Sequence, residues 1–317
     1  MTAARHVLMS SMKDEGPFIL EWVAHHLVTG FDAIYVASND CSDGSDRLLA
    51  ALDAAGYITH VPNAVGPGDI PQHAAYARIR RQHDIDSAEW LMMLDADEFL
   101  NVHLGAGSVR DLTGWAEAEV DVIALCGKGF TGAPHLNWQP GRVCAQFTQI
   151  LARDHKANSA VKSLTRVPAR FKTIHNHSMV GWRGEGEVQV MRADGTRFGV
   201  PGDVPLWTRL RNLPQSDITH RLAQYNHYAV KTYDAFMLRG VRGRGAVAIG
   251  SEATARHTDA YFAARSVAEG VDITIARYEP AVEAMLQDML TQSKIRRCQR
   301  DVETAYAART AAFRRQS

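Results

Sequence analysis

Asp95 and Asp97 stand one residue apart, directly after the apolar run Trp90-Leu91-Met92-Met93-Leu94 and directly before Glu98-Phe99-Leu100. On an extended chain, side chains two apart point the same way, with α-carbons about 7 Å apart. Two carboxylates so placed at the end of a buried strand suit one hard divalent cation. Mg2+ and Mn2+ favour oxygen ligands and commonly combine one or two carboxylates with substrate phosphates. Such an ion neutralises the charge a diphosphate leaving group develops as its bond breaks. A solvated acidic turn would carry the same letters. Position favours the metal reading, because the pair follows one apolar run and precedes another.

The elements that must hold this pair are legible upstream. Residues 6–9 form a short apolar strand. Pro17 suits a first helical turn, where its missing N–H costs nothing. Phe18, Ile19, Trp22, Val23, His26 and Leu27 then recur at helical spacing until Gly30. Strands are expected at 33–37, 57–61 and 90–94, and helices at 47–55 and 72–83. This alternation predicts an α/β fold, with βαβ units on a mostly parallel sheet. Such sheets bind ligands outside the carboxyl ends of their strands. The polar clusters at 13–15, 39–45 and 95–98 all fall on that edge.

Further along, strands are expected at 122–126, 145–152 and 161–167. A Gly-, Asp-, Arg- and Pro-rich excursion occupies 176–216, helices lie at 225–238 and 256–268, and a helical tail at 281–313. His25 and His26 are not a metal pair: neighbours on a helix face about 100° apart, so one is expected in the core and the other in solvent. Trp138 and Trp182, in loop-like regions, are either sugar-stacking platforms or core fillers.

Composition narrows the setting. The 317 residues suffice for one large α/β domain with an appendage, or for two modest domains. Lys plus Arg equals Asp plus Glu at 35 each, which argues against a nucleic-acid partner. No apolar run approaches the roughly 18–20 residues of a membrane span, and the opening MTAARHVLMSSMKDEG lacks a secretory apolar region. Cys41, Cys126, Cys144 and Cys298 are scattered with no CxxC pair, which suits a reducing cytoplasm. The basic segments KIRRCQR and AFRRQS allow peripheral contact with the anionic inner face of a membrane.

Three stretches, KDEGPFILEWVAHH, AIYVASNDCSDGSDRLL and WLMMLDADEFLNV, resemble bacterial glycosyltransferases near family 2 and family 92. The resemblance is close over residues 6–104 and moderate over 120–180. It returns at Asn226-His227-Tyr228 and at Arg242-Gly243-Arg244. It implies a GT-A fold, a nucleotide-sugar donor and a divalent metal, Mn2+ or Mg2+. Residues 1–104 would be the nucleotide-sugar-binding half, 105–235 the acceptor and metal-completing half, and 236–317 a helical extension. Glu15 would lie near the nucleoside. Residues 39–45, with Asn39 and Asp43, take the place of the family's base-reading stretch, although Asn39 stands where the family often has Asp. Gln72 and Arg78 would line the donor pocket, or else be ordinary helix-surface polarity. Lys162 would approach the diphosphate as a point charge, or else be a solvated lysine on an edge strand. Arg242-Gly243-Arg244 would clamp phosphate, face the acceptor, or be a basic loop.

A third metal ligand from the later half would be a histidine: His175, His177 or His227, with His177 preferred over His227. The general base would be Glu185, with Glu187 and Asp154 as alternatives. The resulting expectation is transfer of a hexose, from a UDP-sugar by preference, to the hydroxyl of a glycan, lipid-linked or small-molecule acceptor. Two rivals stand beside it. A sugar nucleotidyltransferase would need a Gly-, Arg- and Lys-rich signature after the first strand, where this chain has MSSMKDEGPF. A non-catalytic sugar-binding protein on the same core is the other.

Overall fold

The computed structural model describes residues 5–132, 135, 137–211, 213–243, 245–249 and 257–315. Among them the strands are β1 (His6–Met12), β2 (Ala33–Ser38), β3 (Thr59–Pro62), β4 (Trp90–Met93), β5 (Glu98–Val102), β6 (Val122–Gly129), β7 (Gln149–Ile150), β8 (Val161–Arg166), β9 (Phe171–Ile174), β10 (Met179–Trp182), β11 (Glu187–Arg192), β12 (Arg197–Pro201), β13 (Ala223–His227) and β14 (Gly270–Val271). The helices are α1 (Gly16–Val28), α2 (Ser45–Ala54), α3 (Pro71–Gln82), α4 (Val109–Trp115), α5 (Val143–Gln146), α6 (Leu206–Leu210), α7 (Tyr233–Arg242), α8 (Asp259–Ala263), α9 (Glu279–Thr291) and α10 (Ser293–Arg314).

The first hundred residues fold as their periodicity requires. Strands β3, β2, β1 and β4 lie side by side and parallel. The chain winds outward from β1 through β2 to β3, then returns to the other flank of β1 with β4. That reversal is a topological switch point, the place where an open α/β sheet forms a ligand crevice beyond its strand ends. Strand β8 then enters antiparallel between β4 and β6, and β11 continues parallel to β6. The whole is a mixed, mostly parallel sheet with helices on both faces.

Side-chain alternation divides the core in two. Leu8, Trp90, Met92, Ile123 and Leu125 face the layer built by α1, α2, α9 and α10. Val7, Met9, Leu91, Met93, Val122 and Ala124 face the α3 side. Helix α1 is therefore sandwiched, which is why its residues are buried nearly all round. Both of its histidines are buried, contrary to the expectation that one meets solvent. His25 bonds the Leu100 carbonyl and His26 the Trp22 carbonyl.

Five later expectations need correction. Residues 225–238 are not one helix: β13 pairs with both β5 and β6 before α7 begins at Tyr233. Two strand partners override local helical spacing, as tertiary context commonly does. Residues 145–152 are a short helical turn followed by a two-residue strand pairing with β14. The 176–216 excursion contains a hairpin, β11–β12, that extends the main sheet; Gly195 at φ 90° turns it. The helix expected at 256–268 is limited to α8, and residue 256 lies outside the described residues. The helical tail is two helices broken at Gln292, with Ile295, Cys298, Val302 and Tyr306 of α10 forming the buried stripe.

Candidate active site at the acidic turn

Residues 95–98 do not continue β4 as an extended strand. The Glu98 N–H donates to the Asp95 carbonyl at 3.0 Å, and the Asp95 N–H donates to the Glu98 carboxylate at 2.8 Å. From α1, the Trp22 indole N–H donates to the carbonyls of both Asp95 and Glu98, each at 3.0 Å. This closed turn sends the two aspartates to different partners, which corrects the picture of side-by-side carboxylates. Asp95 is the more open, and accepts from Gln72 Nε2 at 2.5 Å and Lys162 Nζ at 3.3 Å. Asp97 is buried, accepts from Arg239 Nη1 at 2.6 Å, and lies 3.5 Å from His227 Nε2.

Strand register explains the histidine. In the antiparallel β5–β13 pair, His227 stands opposite Glu98, one residue from Asp97. The Tyr228 N–H donates to the Asp97 carbonyl at 2.9 Å and fixes the crossing. His177, the preferred third ligand, turns its Nδ1 to the Val161 carbonyl at 2.9 Å instead, and burial pushes its imidazole down to about 4. His175 stacks beside His73. The histidine brought to Asp97 is His227.

Most of the buried charges here are paired. Lys162 lies on an inner strand, wholly buried, and bonds Glu98 at 2.8 Å and the Asn176 carbonyl at 3.0 Å. It is not a solvated edge lysine. Burial opposes its charge, but Asp95 and Glu98 hold its amine above the ordinary range. Burial drives the Glu98 carboxyl up to about 7 against the pull of Lys162. Burial also works against the Asp97 carboxylate, yet Arg239 and His227 keep it well below the usual range. Glu15 is buried and pairs with Arg242 at 2.5 Å, and Arg242 also donates to the Lys13 carbonyl. Arg242 thus ties the end of α7 to the end of β1. Arg244 lies outside the described residues.

Other expected residues serve the frame. Asn39 donates to Ser11 Oγ at 2.8 Å and accepts from Asn63 at 2.6 Å, lacing the ends of β1, β2 and β3 together. Asp43 accepts from the N–H groups of Ser45 and Gly16, which satisfies the first turns of α2 and α1. Arg78 donates to the Ala64 carbonyl at 3.4 Å. Glu185 is exposed in the β10–β11 connection, and its carboxylate makes no hydrogen bond or ion pair among the described residues. Trp138 is buried against Tyr306, a core filler.

The acidic turn also recruits residues not anticipated: Glu98, Trp22, Arg239 and Lys231. Glu98 was readable as the acid adjoining the aspartates. Trp22 gave no sign that its indole N–H would be used. Arg239 and Lys231 lie more than 130 positions downstream of the turn, and only the β13 crossing brings them to it.

No family model matches the chain. A glycosyltransferase family 92 protein of Oryza sativa subsp. japonica is 27% identical over 90 residues, 28% of this chain and 15% of its own length. A second glycosyltransferase family 92 protein, from Ricinus communis, is 23% identical over 182 residues, 56% of this chain and 32% of its own length. The chain therefore spans a third or less of these curated relatives. Among solved structures, S. aureus TarS 1–349 with UDP-GlcNAc overlaps 99% of this chain and 92% of its own, at 10% identity and a TM-score of 0.34. A likeness at so low a score carries no argument about this chain.

Among the described residues no group of three or more His, Cys, Asp or Glu is placed to enclose a metal ion. The turn instead offers a pair, the Asp97 carboxylate and the His227 imidazole, with Asp95 partly open nearby. A carboxylate oxygen and an imidazole nitrogen are ligand types that suit Mn2+, which fills its remaining positions with water and substrate oxygens. By ligand type this pair is compatible with such an ion, although Arg239 already holds the Asp97 oxygen that faces His227.

Proposed function

We propose that this protein is a metal-dependent glycosyltransferase that moves a hexose from a nucleotide sugar, a UDP-sugar by preference, to an acceptor hydroxyl. The observation that carries the reading is the acidic turn itself. It sits beyond the β1–β4 switch point, with Asp97 and His227 at chelating separation and buried cations behind them. The names of the curated relatives supply independent support. Asp97 and His227, with Asp95 beside them, would hold Mn2+ or Mg2+, and the bound ion would neutralise the departing diphosphate. Arg239 orients the Asp97 carboxylate, Gln72 orients Asp95, and Lys162 with Glu98 keeps the turn rigid. Preorganised charge of this kind costs no rearrangement when the bond breaks.

In this reading residues 1–104 bind the donor, 105–235 complete the site, and 236–317 form the helical extension. No helix of the described residues is long and apolar enough to cross a membrane. Exposed Lys294, Arg296, Arg297 and Arg300 on α10 support a cytoplasmic protein that touches an anionic membrane face.

A second reading, sugar-nucleotide binding without transfer, rests on a specific observation. None of the expected bases Glu185, Glu187 and Asp154 makes a hydrogen bond or ion pair with the acidic turn among the described residues. One experiment separates the two. Donor binding and hydrolysis are measured across UDP-, GDP- and dTDP-sugars, with Mn2+, Mg2+ or EDTA, for wild type and Asp97→Ala. Metal-dependent turnover of one donor, lost in Asp97→Ala, is expected. Binding with no turnover under any condition selects the second reading, and no binding at all rejects both.

A further inference from the structure

Lys231 is unlike the other cations around the acidic turn. Arg239 is matched by Asp97, Arg242 by Glu15, and Lys162 by Glu98. Lys231 is 3% exposed, and its Nζ has no hydrogen-bond partner among the described residues. Its Nζ lies over the Phe18 ring, 4.4 Å from the ring centroid. A buried donor left unpaired costs about 1–3 kcal/mol, more when charged. Burial pushes its amine down to about 8, against the pull of Asp97 and Glu15.

The backbone is committed to this placement. Lys231 holds φ at 46°, a left-handed conformation that a side-chain-bearing residue rarely adopts. Gly132 packs so closely that a Cβ there would lie 1.7 Å from the Lys231 carbonyl oxygen. On the other side, Thr232 caps α7 by accepting from the Ala235 N–H. Strain of this sort costs roughly 1–3 kcal/mol and clusters where a site needs an exact placement. Asp14 and Asp40, at the ends of β1 and β2, share the left-handed conformation, while Val167 adopts it at the opposite edge of the sheet. The Arg239 and His227 side chains are each 23% exposed, so the cluster opens to solvent beside the amine.

A buried ammonium without an acceptor is completed by an anion, and phosphate oxygens meet Lys as a point charge. We propose that Lys231 binds the sugar-linked phosphate of a nucleoside diphosphate, and so makes the site prefer nucleoside diphosphates over monophosphates. The inference rests on the nucleotide-sugar reading above and assigns the phosphate contact to a residue outside the acidic turn.

Calorimetric titration tests it, with UDP, GDP and dTDP and their monophosphates, on wild type, Lys231→Met, Lys231→Arg and Gly132→Ala. Thermal melts serve as a folding control. Wild type is expected to favour one diphosphate over its monophosphate. Lys231→Met should weaken that diphosphate by about 10–100-fold while leaving the monophosphate nearly unchanged. Lys231→Arg should restore part of the preference. Gly132→Ala, which displaces the Lys231 backbone without removing its charge, should erode the same preference. Wild-type preference persisting in Lys231→Met or in Gly132→Ala overturns the inference while leaving the transferase reading intact. Wild type that binds none of the nucleotides overturns both. If Lys231→Met melts before titration, the Lys231→Arg and Gly132→Ala preferences decide.

Discussion

Lys162 shows how much a single side chain can decide at this site. It is wholly buried on β8 and neutralises Glu98 and Asp95 together. Removing one partner of a buried ion pair leaves an uncompensated charge, at a cost of about 3–5 kcal/mol. Lys162→Met should therefore lower unfolding free energy by about that much in chemical denaturation. Adding Glu98→Gln should recover a substantial part, because the stranded charge is then gone. A double variant no more stable than Lys162→Met would show that Glu98 is not the group Lys162 stabilises. The sequence singles out Asp95, Asp97, Gln72 and His227, and the structure brings these four side chains to one turn. The partners they take are not legible there, because a carboxylate's neighbours across a turn depend on crossings that no local spacing records.

At the scale of elements, α1 carries the turn. Its Trp22 indole grips both ends of residues 95–98, and its two histidines anchor it to β5 and to itself. Burial pushes His25 down to about 4 and His26 well below its ordinary value. The unfolded chain takes up protons at these residues near pH 6.5, whereas the folded chain does not. Their contribution is therefore fully present above pH 6.5 and is lost as pH falls toward 4. For His25 the loss is about 3 kcal/mol. Thermal melts between pH 7.5 and 4.5 should show a falling Tm, and His25→Gln, which retains a donor but does not titrate, should flatten the slope. An identical slope in the variant would remove His25 from the explanation. The helical period made α1 easy to foresee, but not that both histidines would be buried, because α9 and α10 cover its outer face.

Across the whole molecule, the end of the chain closes over its beginning. Val302 of α10 packs so tightly on Gly16 that a Cβ there would lie 2.5 Å from the valine Cβ. Arg309 reaches Asp14 at 3.5 Å, Arg314 pairs with Asp234 at the start of α7 at 2.6 Å, and Tyr306 meets Phe18 edge-on. Gly16→Ala should destabilise by roughly 1–3 kcal/mol through overpacking, and Val302→Ala should relieve it. The double variant melting above Gly16→Ala alone would establish that α10 is seated on α1 in solution. Equal melting of the two would indicate that α10 sits elsewhere.

The sequence by itself determined the β1–α1–β2–α2–β3–α3–β4 order, the polar edge at the strand ends and the central place of residues 95–98. Each of these follows from local periodicity, from turn residues, or from side chains within a few positions of one another. Only the tertiary structure decided that the aspartates diverge, that His227 and not His177 meets Asp97, and that Arg239 and Lys231 join them. Those outcomes hang on β13 inserting between β5 and β6 with His227 opposite Glu98. Register between strands more than a hundred residues apart is set by which partners compete for each backbone, and a one-residue slip would turn His227 to the other face.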